Sequence, residues 1–240
     1  MQLKISKTKQ EVALNFSRYL AILISSRETV HIALSGGSTP KIVFDELATN
    51  FQEDIDWSRV HLYWGDERCV APTDDQSNYK MTRTHLISKI AIPKENIHRI
   101  KGENDPEYEA KRYADLLDEG LPKVNNIPQF DLVILGMGDD GHTASIFPHE
   151  IELWDSKKNC EVAVHPDSGQ KRVSLTGKII NNADTVVFLV TGASKVEKVT
   201  EIKNKTGNYK SYPASLVNPS SGRLLWFLDE DAAGLTSNQS

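Results

Sequence analysis

Short apolar segments rich in β-branched residues alternate along this chain with longer segments of helical periodicity. The apolar segments predict strands near Val162 and Val173 and at 29–34, 60–64, 130–135, 185–190 and 224–228. The periodic segments predict helices at 8–27, 41–49, 77–86, 106–117 and 194–203. Strands separated by helices predict an α/β fold, with a mostly parallel sheet that carries helices on both faces.

The length of 240 residues suits one large α/β domain. We expect a single catalytic domain over residues 1–234 and a frayed C-terminal tail over 235–240. The chain has no apolar run of the roughly 20 residues that span a bilayer, and its start has no apolar signal region. Its two cysteines, Cys69 and Cys160, form no CxxC pair. These features predict a cytoplasmic protein that has no membrane segment.

The net charge of −5 argues against a nucleic-acid partner, because such proteins usually carry a basic face. It does not argue against a small anionic ligand, since a few local cations can hold one phosphate. We expect a monomer with a small-molecule partner.

The first chemical motif is the polar turn that follows strand 29–34 and precedes a helix. Glycine amides, hydroxyl groups and a helix N-terminus together suit the binding of phosphate. The alternative is a tight turn in which a hydroxyl group caps the helix. The residues concerned are Ser35, Gly36, Gly37, Ser38 and Thr39.

The second motif is a charged run, Asp66-Glu67-Arg68, directly after strand 60–64. Arg68 could bind a phosphate through its planar guanidinium, and Asp66 could position a polar group of a substrate. The alternative is a solvated polar loop over 66–76.

The third motif, GMGDDGH at 136–142, formally matches the G-x-G-x-x-G dinucleotide fingerprint. Two features exclude that function: Asp139 and Asp140 would meet the pyrophosphate, and Pro148 cuts short the required helix. The glycines instead can expose Asp140 and His142 at the strand end. Histidine ordinarily titrates near neutral pH, so a carboxylate-oriented imidazole can act as a general base. The alternative is a histidine that only caps the turn.

Two downstream cations complete the candidates. Arg172 precedes a predicted strand, and Lys195 lies in TGASK after strand 185–190, where it can reach an anion. The chain has no G-x-S-x-G, P-loop or H-E-x-x-H motif, so a serine hydrolase, a P-loop ATPase and a zincin have no support.

Taken together, these segments resemble the 6-phosphogluconolactonase family, within the larger group that contains glucosamine-6-phosphate deaminases. The matching segments span most of the chain in the order of the family, and they read ALSGGSTP, WGDERCV, DDQSNYKM, LGMGDDGHTASIFP, RVSLTGKIINNA, VTGASK and YPASLV.

The resemblance implies a Rossmann-like α/β fold of the NagB/RpiA-like type. It also implies hydrolysis of 6-phospho-D-glucono-1,5-lactone in the oxidative pentose phosphate pathway, with no metal and no cofactor. It assigns His142 as the general base that activates water, with Asp140 and Asp66 as polar residues near the ring. The turn at 35–39, together with Arg68, Arg172 and Lys195, would form the phosphate and oxyanion environment.

Two alternatives belong to other functional classes. A glucosamine-6-phosphate deaminase is similar around Asp66, Asp140 and His142, but it has an acidic residue where this chain has Phe147 before Pro148. A non-catalytic sugar-phosphate sensor would keep the phosphate turn without needing both Asp140 and His142.

Overall fold

The computed structural model describes residues 1–235, so residues 236–240 of the predicted tail lie outside it. The strands are β1 Gln2–Ser6, β2 Val30–Leu34, β3 Val60–Trp64, β4 Asp66–Arg68, β5 Ile97–His98, β6 Lys123–Val124, β7 Ile127–Pro128, β8 Leu132–Leu135, β9 Cys160–Val164, β10 Lys171–Leu175, β11 Thr185–Val190 and β12 Leu224–Asp229. The helices are α1 Lys9–Ser25, α2 Ser38–Asn50, α3 Asn78–His85, α4 Pro106–Gly120, α5 Gly177–Ile180 and α6 Val196–Asn204.

Seven strands form the central sheet, in the order β1-β12-β11-β8-β2-β3-β5. Every pairing in this sheet is parallel, which confirms the predicted sheet type. Strand β8 is buried along its whole length, as expected for a strand covered on both faces. The edge strand β1 was not predicted, because its sequence QLKIS is short and largely exposed.

Helices cover both faces of this sheet. Phe16 of α1 packs edge-to-face on Phe227 of β12, with 5.4 Å between ring centroids. Tyr63 belongs to the opposite face, where its hydroxyl group lies close to Gly120 of α4. Among the helices of residues 1–235, none combines the length and apolar character needed to cross a membrane.

A second sheet of three antiparallel strands, in the order β4-β10-β9, adjoins the end of β3. Strands near Val162 and Val173 were predicted, but their position outside the main sheet was not. The predicted polar loop over 66–76 is wrong at its start, because residues 66–68 pair with β10. Gly65 links the two sheets: its amide donates to Leu34 O, and its carbonyl accepts from Leu175 N.

The helix boundaries follow local capping. Thr8 caps α1 through its side chain, and Ser77 accepts a hydrogen bond from Lys80 N at the start of α3. Helix α2 begins at Ser38, with Gly37 as its N-cap, so neither Ser38 nor Thr39 is the cap. The predicted helix over 194–203 begins later, because a 3-10 turn over 193–195 precedes α6.

Candidate active site

The glycine-rich turn after β2 forms one wall of a cavity at the carboxyl edge of the central sheet. Gly37 has φ 108°, a conformation that favours glycine, and it directs the chain into α2. The first backbone amides of α2 have no partner within the helix, and Pro40 contributes no amide. Thr39 Oγ1 lies 2.8 Å from Thr191 Oγ1, which joins this turn to the end of β11.

Gly36 must be a glycine for a reason of packing. A methyl group at this position would lie 1.9 Å from Asn78 Oδ1. The Asn78 amide in turn donates to Asp66 O at 3.0 Å. Asn78 also lines the cavity, although it was not among the site residues predicted from the sequence.

The two arginines of the site lie directly opposite each other across the small sheet. In the register of β4 with β10, Arg68 pairs with Arg172 and Asp66 pairs with Ser174. Side chains of opposed residues share a face of an antiparallel sheet, so the two guanidinium groups are neighbours. Asp66 is buried, and its Oδ2 accepts a 2.6 Å hydrogen bond from Ser145 Oγ.

Each of the two guanidinium groups has a hydrogen-bond donor without a partner. Nε of Arg68 and Nε of Arg172 are buried and have no hydrogen-bond partner within residues 1–235. Burial and the charge of Arg68 lower the pKa of Arg172 from its usual range. Two adjacent cations with unpaired donors favour an anionic ligand, which would relieve their repulsion and satisfy those donors.

The charged run after β3 is not a solvated loop. Glu67 is only 2% exposed, and its carboxylate accepts hydrogen bonds from the Asn78 and Tyr79 amides, each at 2.8 Å. Burial raises the pKa of Glu67, and these hydrogen bonds oppose the increase. Glu67 therefore fixes the start of α3 beside the cavity, a structural role that the sequence did not reveal.

The glycine-rich turn after β8 holds His142 against Asp140. His142 Nδ1 lies 2.6 Å from Asp140 Oδ1, which also accepts a 3.1 Å hydrogen bond from the His142 amide. Partial burial acts to raise the pKa of Asp140, but the His142 side chain outweighs it and lowers this pKa to about 2. Asp140 is therefore a carboxylate at neutral pH. It engages Nδ1 and leaves Nε2 as the proton acceptor of a neutral imidazole.

Close packing explains this placement. A methyl group at Gly138 would lie 2.1 Å from His142 Nδ1, so only glycine lets the ring occupy its place. The ring also packs on buried Phe147, with 4.7 Å between ring centroids. The Arg172 guanidinium lies 5.4 Å from the centroid of the same phenyl ring. Phe147 thus supports a histidine and an arginine that are distant in sequence.

Lys195 reaches the cavity from the 3-10 turn after β11. Its Nζ donates to Asp139 Oδ1 at 2.5 Å, and Ser194 Oγ donates to the same oxygen at 3.1 Å. The hydrogen bond from Lys195 lowers the pKa of Asp139. The side chain of Lys195 is only 18% exposed, whereas that of Asp139 is 73% exposed. An exposed carboxylate therefore holds a largely buried lysine in place.

The cavity has a volume of about 210 Å³, and the structure brings nearly all the predicted residues together around it. Asp140 is the exception, because it contacts His142 without lining the cavity. Among residues 1–235, no group of three or more His, Cys, Asp or Glu side chains is arranged to hold a metal ion. The predicted residues that line the cavity are Ser35, Gly36, Gly37, Ser38, Thr39, Asp66, Arg68, His142, Arg172 and Lys195.

Cationic side chains, hydroxyl groups and an oriented histidine meet at one carboxyl edge of a parallel sheet, which is the position at which α/β enzymes bind their substrates. A family model described as glucosamine-6-phosphate isomerases/6-phosphogluconolactonase matches residues 5–226. The chain therefore belongs to this family.

Individual relatives cover most of the chain. A 6-phosphogluconolactonase from Treponema pallidum is 47% identical over 179 residues, which are 75% of this chain and 74% of that protein. A 6-phosphogluconolactonase from Haemophilus influenzae is 42% identical over 229 residues, which are 95% of this chain and 97% of that protein. The solved structure of 6-phosphogluconolactonase from Trypanosoma brucei matches with a TM-score of 0.87 at 28% identity, over 98% of each chain.

Proposed function

We propose that this chain hydrolyses 6-phospho-D-glucono-1,5-lactone to 6-phospho-D-gluconate, the second step of the oxidative pentose phosphate pathway. The observation that carries this proposal is the pairing of His142 with Asp140 beside two opposed arginines in one cavity. The curated 6-phosphogluconolactonases, similar along most of the chain, support the same reaction.

In the proposed mechanism, His142 is the general base. Its Nε2 removes a proton from water while the water oxygen attacks the lactone carbonyl carbon. The tetrahedral intermediate then collapses and expels the ring oxygen, which takes the proton back from the imidazolium. Asp140 positions the imidazole and stabilises its transient positive charge. A lactone is an activated ester, so this base and charge stabilisation suffice without a covalent nucleophile.

The cations and the α2 turn bind the phosphate and the developing oxyanion in this proposal. Arg68, Arg172 and Lys195 supply positive charge, and the turn at 35–39 supplies amides and hydroxyl groups. Asp66 is held by Ser145 and Asn78 and faces the sugar hydroxyl groups. Because the phosphate does not react, its binding energy orients the ring toward His142.

The deaminase alternative is not favoured. Phe147 is fully buried against His142, so the position before Pro148 supplies an apolar surface rather than a carboxylate. The sensor alternative is not favoured either, because a protein that only binds a sugar phosphate would not need the close hydrogen bond between His142 and Asp140.

The test is hydrolysis of freshly generated 6-phosphogluconolactone, measured against its spontaneous background with EDTA present. We expect acceleration by the wild type and a loss of about 10²–10⁴-fold in kcat for His142→Ala. Binding of 6-phosphogluconate to that variant should remain largely intact. The exposed His149 is a matched control, and His149→Ala should keep wild-type activity. Near wild-type turnover by His142→Ala would refute the proposed mechanism.

We also propose that residues 1–234 act as one catalytic domain in a cytoplasmic monomer without a nucleic-acid partner. The fully parallel seven-stranded sheet supports the single domain, because β1 from the start of the chain pairs with β12 from near its end. Sedimentation velocity tests the monomer, and a single cooperative unfolding transition is the result expected for one domain.

A further inference from the structure

A second cavity, the basic groove, lies beside the edge strand β5, between α3 and α4. Its volume of about 700 Å³ falls within the usual size range of small-molecule sites. No carboxylate from residues 1–235 lines it, although the whole chain carries a net charge of −5. The cations that line it are Arg83, Lys94, Arg99, Lys101 and Arg112.

These five cations divide into two groups. Arg99 and Arg112 are compensated by carboxylates outside the groove: Arg99 pairs with Glu103 at 2.6 Å, and Arg112 pairs with Glu109 at 2.5 Å. Arg83, Lys94 and Lys101 form no ion pair within residues 1–235. Lys101 is close enough to Glu103 to help lower the pKa of that carboxyl group. Counted against Glu103 and Glu109, the five cations leave a net charge of about +3, a number suited to a polyphosphate and larger than one phosphate requires.

The groove also has an apolar wall. Ile87, Ile97 and Leu116 line it and are packed against the hydrophobic core. Tyr79 contributes its ring, with the Arg99 guanidinium 5.3 Å from the ring centroid. An inorganic polyphosphate would leave this wall in contact with water, whereas a ligand with a planar apolar group would cover it.

We propose that the basic groove binds a nucleoside polyphosphate, with the phosphates on Arg83, Lys94 and Lys101 and the base against the apolar wall. This site is separate from the cavity that contains His142, and none of the residues lining it lines that cavity. The proposal therefore does not depend on the proposed lactonase activity.

The experiment is calorimetric titration of the full chain with ATP at an ionic strength of about 0.15 M, with saturating 6-phosphogluconate to occupy the first cavity. We expect saturable binding with a Kd below about 1 mM. Tripolyphosphate should bind more weakly, because it cannot cover the apolar wall. The double variant Arg83→Glu/Lys101→Glu should bind ATP at least about tenfold more weakly while keeping its hydrolytic activity.

The matched control reverses the charge of one lysine and one arginine outside the basic groove. Lys9 and Arg18 are exposed on α1, so Lys9→Glu/Arg18→Glu changes the net charge equally and should keep ATP affinity. Absence of saturable binding, or equal weakening by both double variants, would overturn the proposal. Equal affinity for tripolyphosphate and ATP would overturn the role of the nucleoside. If a single-stranded oligonucleotide bound more tightly than ATP, the ligand of the groove would be a nucleic acid and not a nucleoside polyphosphate.

Discussion

Replacement of Gly138 by alanine tests whether His142 must hold its place beside Asp140. The new methyl group would lie 2.1 Å from His142 Nδ1, whereas ordinary contact begins at about 3.4 Å, so the ring must move by about 1.3 Å. Gly138 is not among the residues with positive φ, so alanine fits the backbone, and the strain falls on the His142 ring and on Asp140 Oδ1, which would lie 2.6 Å from the methyl group. Such a shift breaks the 2.6 Å hydrogen bond to Asp140 and should lower kcat by about 10²-fold.

The assay is kcat and KM for lactone hydrolysis, with 6-phosphogluconate affinity as the test of an intact phosphate site. We expect the loss to appear in kcat, because the three atoms nearest to the new methyl group belong to His142 and Asp140 and not to the cationic residues or the α2 turn. Gly136→Ala is the matched control from the same turn, since its methyl group would lie 3.7 Å from Ser35 Oγ, an ordinary contact. A folded Gly138→Ala variant with wild-type kcat would refute the reasoning.

Two further predictions concern stability. Burial and the neighbouring His61 lower the pKa of His98 to about 4 from 6.5, so the unfolded chain binds the proton first as the pH falls. Stability should therefore fall between pH 6.5 and 4, by about 1 kcal/mol from pH 7 to 5 after allowance for solvent screening. Urea unfolding at a series of pH values should show this decrease, and His98→Asn should make the free energy of unfolding less dependent on pH. Glu109 is fully buried beside Arg112, so Glu109→Ala should cost about 3 kcal/mol in urea unfolding, whereas exposed Lys111→Ala on the same helix should cost less than about 0.5.

Local sequence patterns were sufficient for five of the seven strands of the main sheet and for the turns that carry the site. The segment 130–135 predicts a buried strand because every residue in it except Asp131 is apolar, and β8, which begins after Asp131, is buried throughout. The glycines and charges that follow predict an exposed turn, and the structure places His142 there beside Asp140. These features depend on neighbours in sequence, so composition and spacing reveal them. The edge strands β1 and β5 were missed because they are short and partly exposed.

The sequence by itself thus determined the parallel α/β class and the approach of His142 to its carboxylate. Only the tertiary structure decided that Arg68 lies opposite Arg172, that Asn78 fills the space above Gly36, and that scattered cations line one groove beside β5. The physical reason is that these contacts join segments distant along the chain. Their register is set by the packing of the whole core and by loop closure, and no local pattern of residues encodes either one.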